Sequence, residues 1–292
     1  MSKGLLDPKV DFVFKNIFGS PNHPEILISF LNATLKAKKK IVNVDIKKTD
    51  IEKQYIEDKY SRLDVKATTS NDEIINIEIQ LKNENNMVKR SLYYLSKMYE
   101  EQLNEKEDYS KLVRTVCINI LNFKYLKTDN FHTGYRFKEI ESNEELTDIM
   151  EVHFIEIPKL QDSSDEKDML VAWTEFLKDP ESEKVRGLEL SIEEIRKAKD
   201  ELIRMSNDST QRELYDMRAN SLRDKMSELN AAERKGIEKG REEGREEGRK
   251  EGIEEGRKEE KIEIARNMKL SGLDTNTIAK ITNLSEDEID KL

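Results

Sequence analysis

The chain has 292 residues, of which 38% are charged and 36% hydrophobic, and its formal net charge is −10. Such a length accommodates one large domain and a smaller one, and so high a charge content places part of the chain in solvated helix or linker. A single cysteine, Cys117, excludes an internal disulfide, three dispersed histidines argue against a zinc cluster, and the lack of a run of ~18 uncharged apolar residues argues against a membrane span. The expectation is a soluble cytoplasmic protein with no membrane partner and no small-molecule cofactor. Its acidity is uneven: residues 139–168 hold eleven acids against Lys159 and Lys167, whereas residues 36–48 hold six lysines against Asp45. A local field that attracts phosphate is therefore compatible with the acidic total.

In chain order, Asp11 and Lys15 stand four apart on a predicted helix, the spacing of a surface ion pair. PEILISFLNATL, residues 24–35, carries Ile28, Leu31 and Leu35 at helical spacing; the lysine run Lys36, Lys38, Lys39, Lys40 follows, and IVNVDI then begins to alternate as a strand does. RLDVKAT (62–68) and IINIEIQLK (74–82) alternate strictly with turn residues between them, which predicts a β-hairpin. In NNMVKRSLYYLSKMYEEQL, Val88, Leu92, Leu95 and Tyr99 recur at helical spacing, leaving Arg90, Tyr94 and Lys97 on the opposite face, either to grip phosphates or simply to be solvated. TVCINIL and VHFIEI read as short buried strands. From EKDMLVAWTEFLKDP onward helices are predicted, with Trp173 as a core anchor and a capping box of Ser191 with Glu194 opening SIEEIRKAKDELIRM.

Alternation sends the odd positions of the hairpin, all apolar, to one side, and Asp64, Lys66, Glu78, Gln80 and Lys82 to the other. Placing Asp64 opposite Glu78 leaves residues 69–73 as the turn and sets Arg62 opposite Gln80. Two carboxylates that close repel unless a cation lies between them, and hard oxygen ligands suit Mg²⁺ or Mn²⁺. Spacing alone leaves two readings open, a solvated polar face or a metal site.

The full pattern places Asp64, Glu78 and Gln80 in a hairpin followed by an amphipathic helix. With DPKVDFVFKNIFGS, RSLYYLSKMYEEQL, HFIEIPKL and DMRANSLRDKMSELNAAERKG, it resembles the PD-(D/E)XK nuclease superfamily, and specifically the recombination-promoting nuclease (Rpn) group of PD-(D/E)XK nuclease family transposases. The resemblance implies an α/β fold with a restriction-endonuclease-like αβββαβ core, a mixed sheet flanked by helices, and a helical C-terminal extension. It also implies a Mg²⁺- or Mn²⁺-dependent DNA endonuclease associated with recombination or phage defence. By motif position Asp64 and Glu78 carry the metal, and Gln80 stands where the superfamily has lysine. Glutamine donates a hydrogen bond but brings no charge, so Lys66, Lys82 or a second metal ion would have to compensate. Asp11 and Lys15 match the N-terminal pattern as supporting residues. Lys38, Lys39 and Lys40, with Arg90, Tyr94 and Lys97, are the expected DNA contacts. The alternative is a catalytically decayed nuclease fold acting as a DNA-binding or protein-interaction module.

Glycine recurs every fourth residue from Gly236 to Gly256. Each helical glycine costs about 1 kcal/mol relative to alanine, and a period of four winds about 40° per repeat around a helix. A solvated spacer of frayed helix is expected in preference to a seam between two chains. The tail resembles a resolvase-type helix-turn-helix module, with DTNTIAKIT and LSEDEIDKL as its helices, Gly272 as a C-cap and Ser285 with Glu288 as a capping box. Glu286, Asp287, Glu288 and Asp290 repel phosphate, which favours oligomerisation over DNA reading. The expected organisation is a nuclease core at 1–160, a helical extension at 161–232, the repeat at 233–260 and the module at 261–292, assembled as a homodimer on DNA.

Overall fold

The computed structural model describes residues 4–37, 39–47, 65–165 and 167–292. Two compact units emerge, Met1–Arg223 and Asp224–Leu292.

The first unit is built on six strands: β1 (Val44–Lys47), β2 (Val65–Thr69), β3 (Ile74–Gln80), β4 (Thr115–Leu121), β5 (His132–Lys138) and β6 (Glu145–Glu156), in the spatial order β1-β2-β3-β4-β6-β5. β1, β2 and β3 are antiparallel, β3, β4 and β6 run parallel, and β5 returns antiparallel to β6, so the sheet is mixed. The register Val65↔Ile77 and Lys66↔Asn76 is the one the alternation predicts. Asp72 turns the hairpin in the left-handed region at φ 60°, which a short polar side chain tolerates. Asp64 and Arg62 lie outside the described residues.

Apolar residues of β3 and β4 (Ile75, Ile77, Ile79, Val116, Ile118, Ile120) join one core with α1 (Asp11–Phe18), α2 (Pro24–Leu35), α4 (Met169–Lys178), α5 (Glu183–Ser191) and α6 (Glu193–Asn207). Trp173 is fully buried there, edge-on to Phe18 and Phe176, with its indole N–H donated to Ser29 Oγ at 3.1 Å. α3 (Met87–Glu100) covers the other face, where Met87 and Leu95 meet Cys117, Leu121, Val152 and Phe154.

Two local expectations are corrected and one unpredicted strand is found. Ser191 ends α5 and donates to Leu188 O at 3.2 Å, so Ile192 rather than a serine precedes α6 and the Ser191–Glu194 box does not form. The strand β5, HTGYRFK, escapes prediction because it is an edge strand, largely exposed and without alternation. The glycine repeat lies inside one continuous helix, α7 (Ser209–Leu270), rather than a frayed spacer. Extending an existing helix avoids a new nucleation cost, so isolated glycines weaken it without ending it.

In the second unit, Gly272 at φ 84° ends α7, and Leu273 N bonds Met268 O at 3.2 Å. α8 (Thr275–Thr282) and α9 (Glu286–Asp290) close on Ala265, Ile278, Leu284 and Ile289, and the Ser285–Glu288 capping box is formed. Among the described residues, no helix is long and apolar enough to cross a membrane.

Candidate active site

Strand alternation sends Asn76 and Glu78 to the face of β3 that α3 covers, so this polar face is buried rather than solvated. The Glu78 side chain is 1% exposed and that of Arg90, reaching down from α3, 22%. Arg90 Nε donates to Glu78 Oε1 at 3.0 Å, its Nη2 donates to the same oxygen, and Gln80 Nε2 donates there at 2.8 Å. The other oxygen, Oε2, is buried without a hydrogen-bond partner among the described residues. Burial opposes the charge of Arg90, but its bonds to Glu78 outweigh burial and raise its pKa above the ordinary guanidinium value. The Tyr94 ring lies beneath the guanidinium, 5.1 Å from centroid to Cζ.

The seating of α3 places Arg90. Its buried stripe is Met87, Ser91, Tyr94, Leu95 and Met98, so of the expected Val88, Leu92, Leu95 and Tyr99 only Leu95 is buried; Val88 and Leu92 are 41% and 48% exposed and Tyr99 is half-buried, which corrects the expected stripe at those positions. Two apolar stripes compete on this helix, and the sheet takes the one carrying Ser91, whose hydroxyl reaches both Met87 O at 2.7 Å and Asn119 Oδ1 at 2.9 Å. A second brace comes from the carboxyl ends of the parallel strands. Buried Glu156 accepts from the backbone N–H groups of Tyr125 and Leu126, while Lys159 bonds Glu156, Leu126 O and Thr128 O. Tyr125 Oη in turn accepts from Val88 N at 3.4 Å, at the start of α3.

The remaining candidates fall in several places. Tyr94 is buried, which corrects its assignment as a phosphate contact. Lys97 pairs with Glu100 at 2.9 Å and Lys66 with Glu101 at 3.6 Å, while Lys82 is half-buried. Asp11 pairs with Arg218 at 2.9 Å, and Lys15 is half-buried on the same helix. Lys39 and Lys40 are exposed, but their loop is tied to the hairpin turn by Asn71 Nδ2 donating to Lys39 O at 3.2 Å. Four strand residues, 74–77, separate the hairpin turn from Glu78, a span of roughly 13 Å along β3. Asp64 and Lys38 lie outside the described residues.

On the opposite face of the sheet stands a cluster that sequence reasoning missed. Arg114 bridges Glu73 and Glu151; Glu151 Oε1 meets His153 Nε2 at 2.7 Å, and His153 Nδ1 meets His132 Nε2 at 2.9 Å. Burial pushes Glu151 upward, but His153, Arg114 and Arg136 outweigh it and bring it to about 2. Burial, then the neighbouring His153, lowers His132 to about 4. Glu151 and His153 are two apart on one strand, a visible signal, but nothing in the sequence ties them to His132. Among the described residues, no three His, Cys, Asp or Glu side chains are grouped to hold a metal.

Residues 8–232 match a family model described as PD-(D/E)XK nuclease family transposase, and residues 258–292 match one described as Rpn/YhgA-like nuclease family, C-terminal HTH domain. No curated protein and no solved structure matches the chain.

Proposed function

Because the chain belongs to the PD-(D/E)XK nuclease family transposases, we propose that it is a metal-dependent DNA endonuclease, hydrolysing phosphodiester bonds with Asp64, Glu78 and Gln80 in recombination or phage defence. The observation that carries this reading is the divided Glu78 carboxylate: Oε1 is fixed by Arg90 and Gln80, and Oε2 is buried and without a hydrogen-bond partner among the described residues. A buried anionic oxygen left bare costs free energy, and a hard divalent cation removes that cost. Glu78 Oε2 fits such a cation, and by motif position Asp64 would be its second protein ligand. Bound there, Mg²⁺ or Mn²⁺ lowers the pKa of a coordinated water and stabilises charge on the phosphate oxygens.

The chain's own groups then have separable tasks. Glu78 supplies a preoriented oxygen, because donors on Oε1 hold the carboxylate plane. Gln80 spends its N–H on Glu78, which leaves its carbonyl oxygen to accept a hydrogen bond from the attacking water and orient it. Exposed Lys39 and Lys40 hold duplex phosphates away from the cleavage point. A homodimer is part of this reading, since Leu270 and Ile281 are left exposed by the small core of the second unit.

Supercoiled plasmid incubated with the pure protein and Mg²⁺, with and without EDTA, is the test. Nicked or linear product that EDTA abolishes is expected. Intact plasmid under all divalent ions, with retained DNA binding, would establish the decayed fold instead.

A further inference from the structure

Glutamine at position 80 leaves the site without the positive charge that phosphoryl transfer calls for, because charge accumulates on the phosphate oxygens in the transition state. On the strands, Lys66 forms its ion pair with Glu101, 3.6 Å away. The cation bonded to Glu78 comes from the helix: Arg90 contacts Oε1 through both Nε and Nη2. Its guanidinium is held by Glu78 and lies over the Tyr94 ring, 5.1 Å from the centroid. It nevertheless keeps 22% of its side chain exposed, so it borders both the buried carboxylate and the surface where a phosphate arrives.

We propose that Arg90 is the charge-bearing positioning residue of this site: it holds Glu78 through one oxygen only, and it supplies the positive charge that Gln80 does not. The proposal rests on the nuclease reading. Geometry gives it two consequences of opposite sign. A guanidinium this close to a bound cation repels it, so Arg90 weakens metal binding while it favours the chemical step. A residue that merely props up the fold would support both.

The test uses the full-length chain with Arg90→Gln and Arg90→Lys, Mn²⁺ binding followed by calorimetry, and plasmid cleavage resolved into kcat and KM. Arg90→Gln is expected to bind Mn²⁺ at least as tightly as wild type, to lose about 100-fold in kcat, and to hold KM within about threefold. Arg90→Lys, which keeps a charge and a donor, is expected to stay within about tenfold of the wild-type kcat. An unchanged kcat in Arg90→Gln overturns the proposal, and so does a loss of Mn²⁺ affinity in step with kcat, which marks a structural prop. If Arg90→Gln does not fold, Arg90→Lys decides: recovery to within tenfold upholds the role of charge, and a folded variant slowed about 100-fold refutes it. Wild-type protein that neither binds Mn²⁺ nor cuts DNA brings down the nuclease reading itself, whereas wild type that does both beside unaltered variants brings down Arg90 alone.

Discussion

Glu78 is a charged group almost wholly covered by protein, and its partner Arg90 is mostly covered too. Removing one member of such a pair strands the other, at about 3–5 kcal/mol. Glu78→Ala is therefore expected to lower stability by roughly 3 kcal/mol, although placing Asp64 opposite Glu78 from the sequence alone suggests relief of repulsion. Glu78→Gln keeps an acceptor for Arg90 and Gln80; it is expected to lose at most about 2 kcal/mol while abolishing cleavage. Urea unfolding beside the plasmid assay checks both, and an alanine variant as stable as wild type removes the ion pair from the account. His132 makes a second residue-scale case. It titrates near 4 in the folded chain against 6.5 ordinarily, through burial and then His153. Between those values the unfolded chain holds the proton and the folded chain does not, so stability is complete above pH 6.5 and falls as pH drops toward 4. A shift of that size corresponds at most to about 3 kcal/mol. The urea midpoint should fall between pH 7 and pH 5, and His132→Gln should flatten the fall; a slope untouched by that substitution places the proton elsewhere. Glu151 acts in a lower window, from the ordinary 4.5 down to about 2, and does not confuse the measurement.

At the scale of elements, the sequence speaks clearly where a local pattern has one solution. α2 occupies Pro24–Leu35 as its periodicity predicts, and the hairpin register follows from alternation and the TSND turn. Position 78 is legible for the same reason. The rotation of α3 is not, because Val88 with Leu92 and Met87 with Leu95 are both apolar stripes and only the shape of the sheet chooses between them. Arg90 passes from a surface phosphate contact to a partner of Glu78 through that one choice. Likewise β5, an exposed edge strand without alternation, has no sequence signature, and its pairing with β6 includes a close approach that no local pattern shows: a Cβ on Gly134 would stand 3.0 Å from His153 Cε1 and 3.2 Å from Nδ1. The ring cannot swing away without breaking its bonds to Glu151 and His132. Gly134→Ala is accordingly expected to cost about 1–3 kcal/mol, and the penalty should largely vanish beside His153→Ala, as a thermal-unfolding double-mutant cycle would reveal. Equal penalties in both backgrounds would mean that the ring is not what the glycine accommodates.

For the whole molecule, the constraint is that a duplex has two strands whereas each chain supplies one Glu78. Cutting both strands takes either two protomers or two successive nicks, and a two-fold dimer is the commonest way to present two centres. The lysines near the hairpin turn lie toward the far end of β3 from Glu78, roughly 13 Å along the strand, so on the proposed reading each protomer would engage phosphates away from its own cut. The first unit contains the described sheet, the Glu78–Arg90 pair and the covering helix, all of which precede residue 224. The second unit leaves apolar side chains uncovered: its core takes in Ala265, Ile278, Leu284 and Ile289 but leaves Leu270, Leu273 and Ile281 exposed. Its α9 begins with Glu286, Asp287 and Glu288, which suits a protein contact better than a phosphate backbone. Along the intervening helix, residues 232–261 are exposed throughout and a side chain at any glycine of the repeat meets nothing within 4 Å, as a spacer requires. Truncation after Ala232 is therefore expected to leave a folded, Mg²⁺-binding protein that is more monomeric than the full chain and shifts plasmid product from linear toward nicked circles. Light scattering and plasmid cleavage on the two forms decide the point. If the shortened chain dimerises with unchanged affinity and still yields linear DNA, the contact between protomers belongs to the first unit, and exposed Val88 and Leu92 on α3 become the surface to examine.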